Sequence, residues 1–445
     1  TYKEGSLAGS EHYNCYANNT CDPLTPPTWT GLWRDGCELA GHDGCKPENA
    51  LSGQISWMGT KRPMHVTAED GQMRFWRNTS VASLTPGTDT VLGDKLLGYE
   101  WNFEQYQEYY PAGRIWLSTT FIDGKEHHLS LYRHASGALV FGAGTVQWMW
   151  ALDEHHDQDA SVENPIVQQA TVNLFADMGV QPASLQDNLV AAAPSTDTTA
   201  PTSSITYPIA NATVNGNITI TGTALDSGGN VGAVEISVDG GATWQRASGR
   251  ESWSYSWTPS AIGSATIMSR AVDDSANIEN PSTGINVTVE PRACPCSIWD
   301  TSNHAAPADG DATPVEVGVK FTADVNGWVS AIRFYKDGIH TDTHIGNLWA
   351  ADGTNLGSVI FTTETESGWQ EATFASPIAI TANTTYIASY FTYGNYAYSE
   401  NFFANNGVEN PPLHALTNGV DGPNGVYKYA ASSAFPSDTW NSSNY

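Results

Sequence analysis

Two stretches near one end of the 445-residue chain crowd aromatic and polar side chains together, FYKDGIHTDTHIGNLW at 334 to 349 and YFTYGNYAYSENFF at 390 to 403. Such a mixture suits carbohydrate, because an aromatic ring packs on the apolar face of a pyranose while Asp, Asn and His serve its hydroxyls. Tyr335, His340, His344, Trp349, Tyr393, Tyr396 and Tyr398 are the candidate glycan-binding residues. Alternation along a strand sends every second side chain inward, so packing in a sandwich core is the competing role for the same residues.

A second dense group, Asp153, Glu154, His155, His156, Asp157 and Asp159, follows a Trp-rich run. Asp153, His155, His156 and Asp157 are candidate ligands for a divalent cation such as calcium, although no fixed ligand spacing is recognisable and a solvated polar loop is the favoured reading. His127 and His128 are adjacent in a strand pattern and point to opposite faces, so one is expected to be packed and the other exposed. FGAGT at 141 to 145 lacks a full G-x-G-x-x-G pattern and a Lys, and reads as close backbone packing. With no G-x-S-x-G elbow and no H-E-x-x-H, the sequence gives no support to a serine or zincin hydrolase.

Four of the six cysteines, Cys15, Cys21, Cys37 and Cys45, fall in a segment rich in Asn, Pro, Gly and Thr. They are candidate disulfide partners, with Cys15 to Cys21 and Cys37 to Cys45 favoured; the C-x2-C pairs of zinc ribbons are missing. Local disulfides imply an oxidising compartment and a secreted protein. Cys294-Pro295-Cys296 reads as an extended step in which a direct ring would be strained. A distant thiol, an intermolecular thiol or a metal is its expected partner.

Positioning these groups falls to a mainly β chain. The run AAAPSTDTTAPT at 191 to 202 reads as a linker, and a second boundary lies at 290 to 293. Residues 1 to 190 carry short strand patterns at 74 to 84, 127 to 133 and 138 to 150. They also carry one helix from Pro165 to Met178, whose apolar residues are Val167, Ala170, Leu174, Phe175 and Met178, with Gly179 as its cap. Residues 203 to 290 alternate in five runs spaced by turns such as Asp239-Gly240-Gly241, the pattern of an immunoglobulin-like β-sandwich. Residues 294 to 445 read as a further sandwich of jelly-roll type. The net charge of −28 is spread over all three sections and argues against nucleic acid, which needs a basic footprint. No run approaches the roughly 20 apolar residues of a membrane-spanning helix.

Residues 1 to 187 resemble the C-terminal part of the N,N-dimethylformamidase large-subunit-like family. The motifs are TWTGLWRD at 28 to 35, PENALSGQ at 47 to 54, RFWRNTSVA at 74 to 82, LGYEW at 97 to 101, HHLSLYR at 127 to 133, GALVFGAGTVQW at 137 to 148 and QQATVNLFADMGVQPASLQ at 168 to 186. The middle section resembles bacterial immunoglobulin-like modules through VEISVDGGATWQ and SRAVDDSANIENPS. The third resembles a C-terminal domain of unknown function of secreted modular proteins, through CPCSIWD, PVEVGVKFTADVNGWVSAIRFYK and TTYIASYF. In the formamidase family a glutamate and two tyrosines hold a mononuclear iron, and the resemblance implies that the glutamate's motif lies upstream of Thr1. Gly41-His42-Asp43 continues with Gly44-Cys45 and does not replace it. The chain is therefore expected to be a mature product or a piece of a longer one, with no cofactor of its own. It reads as the non-catalytic downstream portion of a secreted modular protein that binds polysaccharide or a cell surface. The alternatives are an amide hydrolase completed by an upstream iron site, and a structural subunit that self-assembles through strand edges.

Overall fold

The structure, a computed structural model, describes residues 47–156, 163–299, 311–336 and 342–445. Cys15, Cys21, Cys37, Cys45, Asp157, Asp159 and His340 lie outside the described residues. The fold is mainly β. It divides into two compact units, one of residues 1–209, 220–255 and 266–285, the other of 210–219, 256–265 and 286–445.

In the first unit, β1 (Arg62–Thr67) pairs antiparallel with β2 (Asp89–Leu97), and β3 (Ile115–Trp116), β6 (Ser130–Arg133) and β7 (Leu139–Gly142) form a small sheet beside the hairpin of β4 (Thr120–Ile122) and β5 (Lys125–His127). The segment 74 to 84, expected as a strand, is instead two 3-10 turns, Arg74–Trp76 and Ser80–Ser83. Phe75 and Trp76 are consecutive and both buried in the first of these turns. Phe75 stacks on Phe141 at 5.5 Å, and Trp76 Nε1 donates to the Leu117 carbonyl at 2.8 Å. The run at 138 to 150 likewise stops being a strand at Gly142 and continues as a 3-10 turn, Val146–Ala151.

The helix spans Pro165–Asp177. Asn164 caps it, its Oδ1 accepting from Ile166 N at 2.9 Å and Val167 N at 3.4 Å. Val167, Ala170 and Leu174 are buried as the spacing predicts, whereas Phe175 and Met178 are exposed. Their places on the buried side go to Gln168, Gln169 and Asn173. Asn173 Nδ2 donates to the carbonyls of Phe75 at 2.9 Å and Arg77 at 2.6 Å, tying the helix to the preceding turns.

The immunoglobulin-like section comprises β8 (Thr202–Tyr207), β9 (Thr213–Val214), β10 (Ile218–Leu225), β11 (Val231–Ser237), β12 (Gln245–Arg246), β13 (Ser248–Gly249), β14 (Ser252–Trp257), β15 (Gly263–Asp273) and β16 (Ile285–Val289). One sheet runs β13-β14-β10-β8, another carries β12-β11-β15, and β16 pairs parallel with β9. The expected turn after β11 is fixed by Asp239, whose carboxylate accepts from Thr243 N at 2.9 Å. Within the first unit this sandwich shares its core with the preceding region, since Ala233, Val272 and Ala276 pack among Trp76, Ile115 and Leu117. Arg250 Nη2 meets Asp70 Oδ1 at 2.8 Å.

The second unit is dominated by the C-terminal sandwich. Its strands are β17 (Val315–Ala323), β18 (Gly327–Lys336), β19 (Ile345–Ala350), β20 (Asn355–Ile360), β21 (Gly368–Ile380), β22 (Tyr386–Thr392), β23 (Val408–Asn410), β24 (Leu413–Ala415), β25 (Val426–Tyr429) and β26 (Asp438–Thr439). The larger sheet is ordered β20-β19-β22-β17-β24-β23, with β25 also pairing β17. The smaller is the long hairpin-like pair β18-β21. Val317, Phe321, Phe334, Phe374 and Tyr390 belong to the core between them. Behind β17, Glu316 is buried and accepts from Asn347 Nδ2 at 2.8 Å, Ser433 Oγ at 2.9 Å and Ser389 Oγ. Burial pushes its carboxyl up to about 6 against those three hydrogen bonds.

Cys294 and Cys296 are bonded to each other, contrary to the expectation of separate partners. The chain bends at Cys294 and Pro295 and brings the two Cα atoms to 4.5 Å, closer than the roughly 6.5 Å of an extended i, i+2 pair.

Candidate functional site

The register of β18 and β21 sets Tyr335 opposite Trp369 and Arg333 opposite Glu371. Directly paired residues project from the same face, so these four share one side while Ile332, Phe334, Ala372 and Gln370 share the other and are buried. Tyr335 meets Trp369 edge-on at 5.8 Å, and the Arg333 guanidinium lies 5.0 Å above the Trp369 ring. Arg333 Nε is 3.5 Å from Glu371 Oε2, and its Nη1 donates to Ser297 Oγ at 3.1 Å.

The segment that brings in Ser297 is itself anchored. Arg292 Nε donates to the Pro411 carbonyl at 3.1 Å and Asn410 Nδ2 to the Ile298 carbonyl at 3.0 Å. Two residues on, Trp299 joins Trp328, Trp369 and Tyr445 around a cavity of about 820 Å³ that is floored by the apolar core. Trp328 is 73 % exposed. The indole N–H groups of Trp299 and Trp369 are shielded from solvent and have no acceptor. Their place at the cavity sets them apart from Trp116 and Trp253, whose indole N–H groups are likewise shielded without an acceptor.

Of the residues picked from sequence, Tyr335 stands on this face. Tyr396 packs edge-on against Tyr445, itself a wall of the cavity, at 5.7 Å, and near Tyr398 at 6.0 Å; Tyr398 in turn meets Trp440 at 6.0 Å. Tyr393 is half-exposed against Phe391. His344 and Trp349 are not brought to the face. His344 is buried with Nδ1 2.8 Å from Glu364 Oε1, and Trp349 is buried with Nε1 donating to Ser389 Oγ at 2.7 Å. Sequence reasoning missed Trp299, Arg333, Trp369 and Glu371. For Arg333, Trp369 and Glu371 the one available signal was the register of WQEATF against AIRFYK; Trp299 had none.

In the first unit, Asp153 and His155 lie on an exposed loop 3.1 Å apart, and His156 stacks on Trp150. His127 and His128 are both buried, where one was expected to be exposed. Each face of the strand end is covered: Trp101 and the Ala143 carbonyl enclose His127, while His128 stacks on Trp116 at 3.6 Å and its Nδ1 lies 2.8 Å from the Ser118 carbonyl. Burial, followed by the neighbouring His128, lowers the His127 imidazole to about 3, which keeps it neutral. Gly142 and Gly144 give the close packing expected of them, since a Cβ on either would stand 2.6 or 2.4 Å from a Gln54 atom. The metal-ligating carboxylates that converge among the described residues are three aspartates, Asp197, Asp226 and Asp273. They are not the glutamate and two tyrosines that the formamidase resemblance implies for iron, so that group does not fit an iron centre of this kind.

Fold and face define a chain of serial β modules. Residues 4–160 match the family described as N,N-dimethylformamidase beta subunit-like, C-terminal; residues 201–268 match the bacterial Ig domain; and residues 301–445 match a domain of unknown function, DUF4082. The three follow in the order that the sequence motifs indicate. No curated protein matches the chain. Among solved structures, the chain is similar to the fibronectin(III)-like modules of Clostridium thermocellum CbhA, at 27% identity over 20% of this chain and 97% of that one, with a TM-score of 0.17. It is similar to carbohydrate-binding modules of the β-sandwich superfamily, at 12% identity over 45% and 93% with a TM-score of 0.17. A third is the Bacteroides ovatus mixed-linkage glucan protein SGBP-B, at 11% identity over 66% and 69% with a TM-score of 0.14.

Proposed function

We propose that this chain is a non-catalytic region of an extracellular modular protein and that its C-terminal sandwich binds polysaccharide on the β18-β21 face. The observation that carries the reading is the pair of solvent-shielded, unpaired indole N–H groups of Trp299 and Trp369 beside a charged Arg333–Glu371 pair. Sugar rings offer what those groups lack: hydroxyl oxygens for the donors and apolar faces for Trp328 and Trp369. Tyr335, Tyr396 and Tyr398 extend the same surface, and Tyr393 is the outlying candidate. Pull-down of the full chain with insoluble polysaccharides, together with a glycan array, tests the reading. Retention by at least one polysaccharide is expected, and an array and pull-down that are both blank would overturn it.

A second reading rests on the match of residues 4–160 to a formamidase-like family. In it the chain is part of an amide hydrolase whose iron is held by residues outside this chain. It predicts iron and amine release in a longer protein; a longer protein that is metal-free and inert on small amides excludes it.

A further inference from the structure

One carboxylate oxygen from each of Asp197, Asp226 and Asp273 lies within 4.8 Å of the other two. The three come from distant places in the sequence: the 191–202 segment, the residue after β10 and the last residue of β15. Asp273 is completely buried, and its carboxylate accepts from Ser275 N at 2.9 Å and from Asn277 N and Nδ2, each at 2.8 Å. Asp197 accepts from Thr199 N at 2.9 Å and Asp226 from Gly228 N at 3.1 Å, in each case through one oxygen. The other oxygens, Asp197 Oδ2 and Asp226 Oδ1, are shielded from solvent and accept nothing.

Those two orphaned oxygens separate this group from an ordinary acidic cluster. Exposed carboxylates repel one another through water, but a shielded anionic oxygen without a donor carries a desolvation cost that nothing in the chain offsets. The arginine whose charge reaches Asp197, Arg74, has its guanidinium engaged by Asp177 at 2.8 and 3.2 Å. An all-oxygen, all-anionic donor set suits a hard divalent cation, and irregular loops suit the flexible coordination of calcium better than the strict octahedron of magnesium.

We propose that Asp197, Asp226 and Asp273 form a calcium site that pins the 191–202 segment to the end of the immunoglobulin-like sandwich. The segment already touches the sandwich there through Ser195 Oγ to Ser275 Oγ at 2.7 Å and Asn277 Nδ2 to the Asp197 carbonyl at 3.2 Å. The ion reinforces these weak ties with a link between three loops.

The test uses the full chain stripped with a chelator and titrated calorimetrically with CaCl2 up to about 5 mM, above the affinity range of extracellular calcium modules. Saturable binding is expected, with a rise of about 4 °C in the unfolding midpoint. Both should be lost in the double variant Asp197→Asn/Asp226→Asn. Hydrogen exchange on the wild type covers the case in which that variant misfolds: protection should rise at 195–200, 226–230 and 273–277 on adding CaCl2. No heat, an equal response in a folded variant, or protection gained elsewhere but not in these loops would each overturn the site.

Discussion

The region before the linker and the C-terminal sandwich use their aromatic and polar residues in opposite ways. In the first, Trp76, Trp101, His127, His128 and Gln54 are inside a closed core; Gln54 Nε2 donates to the carbonyls of His128 and Gly142, while Trp116 Nε1, His127 Nδ1 and the Gln147 amide are shielded without a partner. In the second, Trp299, Trp328 and Trp369 stand around an open volume, and two of their N–H groups find no acceptor. The first region packs its aromatic rings into a closed core, and the second arranges them around a cavity.

The sharpest way to break this contrast is Trp76→Ala. Removing a fully buried indole should cost about 3–5 kcal/mol and unfold the first region, read as loss of hydrogen-exchange protection in residues 62–177 of the full chain. Unchanged protection would mean that this core is not the stabilising one.

Acidification separates the regions next. His127 is held neutral with its pKa lowered to about 3, so its contribution is present above the unfolded value near 6.5 and is lost as pH falls below it, about 2 kcal/mol by pH 5. Glu316 runs the other way: its pKa is raised to about 6, so its unfavourable ionisation is relieved as pH drops, a gain of about 1 kcal/mol at pH 5 over pH 7.5. His414, raised by its hydrogen bond to Glu409, adds in the same direction as Glu316, stabilising most at low pH. Exchange protection at the two pH values, corrected for intrinsic rates, should fall around β5 and rise around β17; parallel changes would contradict the assignment.

Trp369→Phe sharpens the contrast from the other side. It keeps an aromatic ring and removes the orphaned donor with the pyrrole half of the indole, so polysaccharide affinity should drop at least about fivefold, the effect of one hydrogen bond plus the lost ring area, with the unfolding midpoint little moved. A destabilised variant of undiminished affinity would make the N–H structural. Smallest is Asn164→Ala, which deletes the helix cap and should cost about 1 kcal/mol in the first region without touching binding.

The strands of the two sandwiches were legible in the sequence because alternation and glycine turns are local signals: ITITGTA and VEVGVKFTAD sit in β10 and β17. The 74–84 turns were not, since Phe75 and Trp76 carry strand-like propensity while their contacts with Phe141 and the Leu117 carbonyl are long-range. Nor could spacing disclose the binding face, where Trp299 and Trp369 are seventy positions apart and meet only through the fold. The same holds for the three aspartates, each unremarkable in its own loop. The aromatic runs lie in the domain that carries the proposed face, but alternation there hid which residues face out, and His344 and Trp349 went inward.

The most direct test of the account compares retardation of the full chain, its Trp369→Ala variant and its Tyr393→Ala variant in native gels containing a polysaccharide that the wild type binds. Loss of retardation in Trp369→Ala with retention in Tyr393→Ala is the predicted result. Retardation of Trp369→Ala equal to that of the wild type would contradict the assignment of the β18-β21 face as the binding surface.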